Sequence, residues 1–139
     1  MRNNVPVSEI MTKDLVTLTV EDDLTTAEER FKKYNIRHIP VVSGSTIVGM
    51  LSLTDLLRIS FADAVDESEE SVDTMVYNMF TIPQVMARDV ITVSSQTTVK
   101  EVAQFLSKKE FHALPVVDAE KLVGIVTTTD LINYLLEQY

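Results

Sequence analysis

The chain has 139 residues, 45% of them hydrophobic and 24% charged, a balance that suits a folded globular protein and excludes a disordered one. Twelve Lys and Arg against 21 Asp and Glu give a formal net charge of -9, which repels polyphosphate at long range and argues against a nucleic-acid partner. With no Cys and only two His, disulfides, thiolate zinc sites, cysteine nucleophiles and a dedicated transition-metal centre are all excluded as expectations.

Residues 1–11 (MRNNVPVSEIM) lack the apolar stretch of a signal peptide, and no later run approaches the roughly 18 apolar residues that cross a bilayer. A soluble, cytoplasmic protein with no membrane partner is expected. From residue 11 onward the chain is written twice. Met11 and Met86 are 75 positions apart, and the same offset relates 14–18 (DLVTL) to 89–93 (DVITV) and 39–42 (IPVV) to 114–117 (LPVV). It also relates 47–56 (IVGMLSLTDL) to 122–131 (LVGIVTTTDL). The register does not slip, so the chain is a duplicated unit.

Each copy reads strand, helix, strand, strand, helix. Residues 15–18 and 90–93 are short β-rich runs. Leu24, Ala27, Phe31 and Tyr34 recur at helical spacing, as do Val99, Val102, Ala103 and Leu106. Acids 21–23 open the first helix and Lys32 and Lys33 close it, as the helix dipole favours. Pro40 and Pro115 lack an N–H and are expected to open strands at edge positions. Apolar runs then flank 43–46 (SGST) and 118–121 (DAEK), which predicts hairpins with four-residue loops. The closing helices are placed from about Thr54 and Thr129.

Between the copies, residues 63–74 hold six acids and no base, the pattern of a solvated connector. Residues 75–80 (MVYNMF) predict a short connector helix docking on the core. The expected division is therefore 1–62 for the first repeat, 63–81 for the connector and 82–139 for the second repeat. A unit of this size is marginal alone, so two are expected to pack sheet to sheet about a pseudo-two-fold axis, leaving two related clefts. The expected class is α+β.

The repeated Gly-x-x-[Ser/Thr]-x-x-Asp carries the chemistry. It occurs as Gly49, Ser52 and Asp55, and again as Gly124, Thr127 and Asp130. Ser or Thr followed three positions later by an acid, ahead of an apolar helix, is the pattern of a capping box. The same place offers helix N–H groups and a positive dipole to a phosphate. A carboxylate there also accepts hydrogen bonds from a ribose diol. No nucleophile elbow, P-loop or HExxH is present, so an enzyme is not expected.

The duplicated pattern resembles a tandem pair of cystathionine-β-synthase (CBS) domains, a Bateman module, over residues 7–60 and 82–137. The resemblance implies two β-α-β-β-α units and a stand-alone regulatory homodimer acting on an unknown effector protein. It implies no catalytic cofactor. The implied regulatory ligand contains adenosine: AMP, ADP, ATP or S-adenosylmethionine, bound in the clefts between repeats and signalling by a conformational shift. Carried over by position, Asp55 and Asp130 would bind ribose hydroxyls, and Ser52 and Thr127 ribose or phosphate. Thr17 and Thr92, with Val16 and Ile91, would border the adenine. Arg37, His38 and His112 would face phosphates. Ala113 aligns with His38 and offers no charge, so the two clefts are expected to be unequal. The alternative is a structural or dimerisation module with empty clefts.

Overall fold

The computed structural model describes residues 4–63, 77–108 and 112–139. Apart from Asp63, the acidic segment 63–74 lies outside them. The chain divides into two compact units. The first is Val16–Asp89; the second joins Met1–Leu15 to Val90–Tyr139. These limits differ from those of the sequence repeats, because the segment preceding each repeat's first strand packs with the hairpin of the other repeat.

In the first unit the order is β1 (Leu18–Thr19), α1 (Leu24–Tyr34), β2 (His38–Ser43), β3 (Thr46–Ser52), α2 (Leu53–Asp63) and the short α3 (Ile82–Val85). The sheet runs β1-β2-β3, with β1 parallel to β2 and β2 antiparallel to β3. The second unit contains α4 (Val99–Lys108), β4 (Ala113–Asp118), β5 (Lys121–Thr127) and α5 (Thr128–Glu137), with β4 and β5 antiparallel.

Both prolines lie inside strands, not at their starts, and they explain why the leading strands are shorter than expected. In the second unit the Val93 N–H donates to the Pro115 carbonyl at 3.1 Å, and the Val117 N–H donates to the Val93 carbonyl at 2.8 Å. The next bond along that parallel ladder would need an N–H from Pro115, which has none. The leading strand is thereby cut to a single bridge at Val93. In the first unit β1 likewise begins only at Leu18, paired with Val41, the residue after Pro40.

The hairpin loops have two residues rather than four, since Ser43 pairs with Thr46 and Asp118 with Lys121. Gly44 takes a φ of +64°, while Ala119 and Glu120 are both left-handed at 48° and 68°. Positive φ at both central residues is what a type I′ turn requires, and Ala-Glu adopts it without the Asn-Gly chemistry that makes it easy. The closing helices start one residue earlier than expected. Helix α1 is capped by Asp23, whose Oδ1 accepts from the Thr26 N–H at 2.8 Å, and ends on Asn35 in the left-handed region. Leu24, Ala27 and Phe31 are buried as the spacing requires; Tyr34 stays exposed, with the Lys33 ammonium 5.2 Å from its ring centroid.

The first unit's core gathers Leu18, Leu24, Phe31, Ile39, Leu51, Leu56, Tyr77 and Ile82. The second unit's gathers Val7, Val93, Val102, Leu114, Val116 and Val126. Ile82 and Val7 occupy matching positions in the two repeats, and each fills the core beside the other repeat's hairpin. Tyr77 is buried among these residues, and its hydroxyl donates to Glu28 Oε2 at 2.6 Å.

The exchange is fixed by matched backbone bridges. Thr12 N–H donates to the Ile125 carbonyl at 2.8 Å and Ile125 N–H returns to Thr12 at 3.0 Å. Ala87 and Met50 form the same reciprocal pair at 2.9 and 3.0 Å. Beside each bridge a thioether sits on a glycine. A Cβ at Gly124 would lie 2.5 Å from the Met11 sulfur, and one at Gly49 would lie 2.3 Å from the Met86 sulfur. The glycine of the repeated motif makes room here for a methionine side chain, which would have to shift to admit a Cβ.

Gly124→Ala should therefore destabilise the protein by about 1–3 kcal/mol in denaturant unfolding, the usual cost of overpacking. Combined with Met11→Ala, the loss should fall short of the sum by about 0.5 kcal/mol or more, since the two side chains contend for one space. Asp23 titrates below its ordinary value of 3.8, chiefly because the Thr26 N–H and then the Thr26 hydroxyl bond its carboxylate. Folding favours the ionised form, so this stabilisation is complete above the unfolded value and is lost as pH falls through the lower folded one. The stability gap between wild type and Asp23→Ala should be about 1 kcal/mol near neutrality. It should narrow below pH 3.8 when unfolding is followed across an acid series.

Candidate functional site

Each unit carries one copy of the Ser/Thr-x-x-Asp motif where its second hairpin strand turns into a helix. In the first unit Ser52 ends β3, and its Oγ accepts from the Asp55 N–H at 3.0 Å across the first turn of α2. The Asp55 carboxylate, 26% exposed, is met by the Arg58 guanidinium at 3.3 Å. In the second unit the capping box closes completely. Thr127 Oγ1 accepts from the Asp130 N–H at 3.1 Å, and Asp130 Oδ2 accepts from the Thr127 N–H at 2.9 Å. The Thr12 hydroxyl adds a contact to Asp130 Oδ1 at 3.3 Å.

The predicted phosphate-facing residues sit where the preceding strand begins. The Arg37 carbonyl accepts from the Leu53 N–H at 2.9 Å, so Arg37 flanks the first residue of α2. His38 pairs across the hairpin with Ser52. In the second unit the His112 carbonyl accepts from the Thr128 N–H at 3.0 Å, which places His112 at the start of α5 in the same way. Ala113 pairs with Thr127, the place that His38 holds opposite Ser52.

Val16 and Thr17 lie just ahead of β1, and Ile91 and Thr92 just ahead of the Val93 bridge. All four are beyond the point where the proline stops the parallel ladder. Val16 packs partly against the first unit's core, whereas Ile91 is exposed. The Thr17 carbonyl accepts a hydrogen bond from the Arg30 guanidinium, which is also 3.6 Å from Asp22. The motif pairs are thus assembled within each unit, with Arg37 and His38, or His112, at the neighbouring strand start.

Three contributors escape sequence reasoning. Thr12 reaches Asp130 from 118 residues away. Arg30 reaches Thr17 from an adjacent helix. Arg58 stands three residues after Asp55, a spacing that puts both on one helix face and could have been noticed. Arg88 turns back on the Pro83 carbonyl, its Nη2 and Nε at 3.0 and 3.2 Å.

A separate apolar groove of ≈ 430 Å³ opens between α4 and α5 in the second unit, lined by Val5, Val99, Ala103, Leu131, Ile132 and Leu135 among others. Its lining includes neither Thr127 nor Asp130. Among the described residues no cluster of three or more His, Asp and Glu is placed to hold a metal ion, and no helix is long and apolar enough to cross a membrane.

Comparison with known proteins agrees with this doubled architecture. The CBS domain model matches twice, at residues 7–62 and 82–137. The uncharacterised protein MJ1225 of Methanocaldococcus jannaschii is 32% identical over 95% of this chain, which spans only 43% of that relative. The uncharacterised protein YlbB of Bacillus subtilis is 30% identical, covering 90% of this chain and 78% of its own length. Among solved structures, the CBS domain pair of MJ0100, in complex with 5′-methylthioadenosine and S-adenosyl-L-methionine, superposes with a TM-score of 0.78. It shares 28% identity and covers 99% of this chain and 100% of its own. CBSX2 in complex with AMP shares the fold at a TM-score of 0.80 and 24% identity, over 96% and 98% of the two chains. Two matched copies covering most of its length make this chain a member of the CBS domain family, a tandem CBS pair.

Proposed function

We propose that the chain is a non-enzymatic regulatory module that binds an adenosine-containing ligand through the Ser/Thr-x-x-Asp site of each unit. The observation that carries the reading is the motif at the head of α2 and of α5. There, part-exposed carboxylates stand beside helix N–H groups, an arrangement that suits a ribose diol next to a phosphate. The adenosyl ligands bound by the MJ0100 pair support it.

In this reading Asp55 and Asp130 accept the ribose hydroxyls, with Ser52 and Thr127 beside them. Val16 and Thr17, or Ile91 and Thr92, border the adenine. Arg37 and His38, or His112, face any phosphate. The ligand is AMP, ADP, ATP or S-adenosylmethionine, acts as a regulator rather than a catalytic cofactor, and works by population shift toward the conformation that binds it better. An effector protein reads that shift. The reading includes self-association, because α5 leaves Ile132, Leu135 and Leu136 exposed at 52%, 45% and 65%, the first two of them lining the apolar groove.

A thermal-shift series with AMP, ADP, ATP and S-adenosylmethionine tests the proposal. A ligand at about 100 times its dissociation constant adds about 2.7 kcal/mol to stability and raises the melting temperature. At least one of the four should do so, and Asp55→Ala and Asp130→Ala should weaken the effect unequally. An unchanged melting temperature with all four would favour the alternative, a structural or dimerisation module whose motif serves only to cap helices.

A further inference from the structure

The two motif sites carry different side chains at three positions around the motif. Arg37 in the first unit corresponds to His112 in the second, His38 to Ala113, and Arg58 to Asn133. The first pair occupies equivalent places, since the carbonyl of each accepts the N–H of the opening residue of its helix, at 2.9 Å for Arg37 and 3.0 Å for His112. The carboxylates are engaged in different ways too. Asp55 faces the Arg58 guanidinium at 3.3 Å, on a side chain 72% exposed and so able to turn toward a ligand. Asp130 faces a neutral hydroxyl, Thr12 Oγ1, at the same 3.3 Å, and the Thr127 N–H at 2.9 Å. The exchanged segments account for part of this, because the residue matching Thr12 in the first unit is Ala87, which has no polar side chain.

A phosphomonoester carries about −1.5 to −2 charge near neutral pH. Next to Asp130 it would meet a carboxylate that no guanidinium contacts among the described residues, and next to Asp55 it would meet one offset by Arg58 and flanked by Arg37. Resting on the adenosine-binding reading, we propose that the units divide their ligands by charge. The Asp55 site takes a phosphorylated adenosine, and the Asp130 site takes an adenosyl ligand without phosphate. Guanidinium groups make the strong, two-pronged phosphate contacts that a neutral His or an Asn does not. The diol contact is common to both sites, so the discrimination lies in the cations and not in the aspartates.

Calorimetric titration of the full chain with AMP and, separately, with adenosine tests the assignment. Wild type should bind both, and Asp55→Ala should weaken AMP by about tenfold or more, while Asp130→Ala changes it by less than about threefold. The double variant Arg37→His with Arg58→Asn gives the first site the second site's residues at two exposed positions. It should lower the preference for AMP over adenosine by about tenfold with adenosine affinity nearly kept, and the wild-type preference should shrink as salt rises. Loss of AMP binding in Asp130→Ala but not in Asp55→Ala overturns the assignment, as does an unaltered AMP-to-adenosine ratio in the double variant. Those failures leave adenosine binding standing. Failure of wild type to bind AMP, adenosine or S-adenosylmethionine would remove the underlying reading and this division with it.

Discussion

The reciprocal bridges between Thr12 and Ile125 and between Ala87 and Met50 are the constraint from which the rest of the structure follows. A repeat of this length has one small sheet and two helices, too little apolar surface for a stable core without help. Each hairpin obtains that help from the segment leading into the other repeat. Val7 lies in the second unit's core and Ile82 in the first unit's, both fully buried. The chain therefore passes from one unit to the other between Leu15 and Val16, and again between Asp89 and Val90. Neither sequence repeat alone contains all of the residues that fill the core around its own hairpin.

The duplication, the helices and the hairpins could be read from the sequence because they rest on local regularities: an unbroken offset, a helical period and turn residues at fixed places. The exchange could not be read. Val7 and Ile82 are both apolar and hold the same place in their repeats, so either hairpin would satisfy either one by pattern alone. Only three-dimensional packing decides between them. The strand lengths failed for a different reason. Val-Ile-Thr runs have high β propensity, but a ladder needs donors on both sides, and Pro115 withholds one just where the second leading strand would extend. The second hairpin's loop is shorter than its sequence suggests because Ala119 and Glu120 accept a left-handed backbone that their side chains disfavour, at a cost of about 1 kcal/mol or more each.

At the candidate site the split is similar. Asp55 and Asp130 stood out because their motif is contiguous and repeated. Thr12 did not, since its role depends on the exchange, and no spacing rule joins residues 118 positions apart. Arg30 was hidden in the same way: its guanidinium reaches the Thr17 carbonyl across the space between α1 and the segment ahead of β1. Arg58 was legible in principle, because a basic residue three positions after an acid shares its helix face. Its significance appears only when Asn133 is set against it.

The same comparison separates the two meanings of the repeated motif. Its glycine faces a thioether in both units, so that position is held by packing. Its hydroxyl residue caps a helix in both units, so that position is held by backbone satisfaction. The aspartate is different. A capping box needs the acid to return to the N-cap N–H, and Asp130 does so at 2.9 Å, whereas Asp55 is instead drawn to Arg58 at 3.3 Å. Folding thus explains two of the three motif positions in both units, and the aspartate by helix capping in the second unit alone.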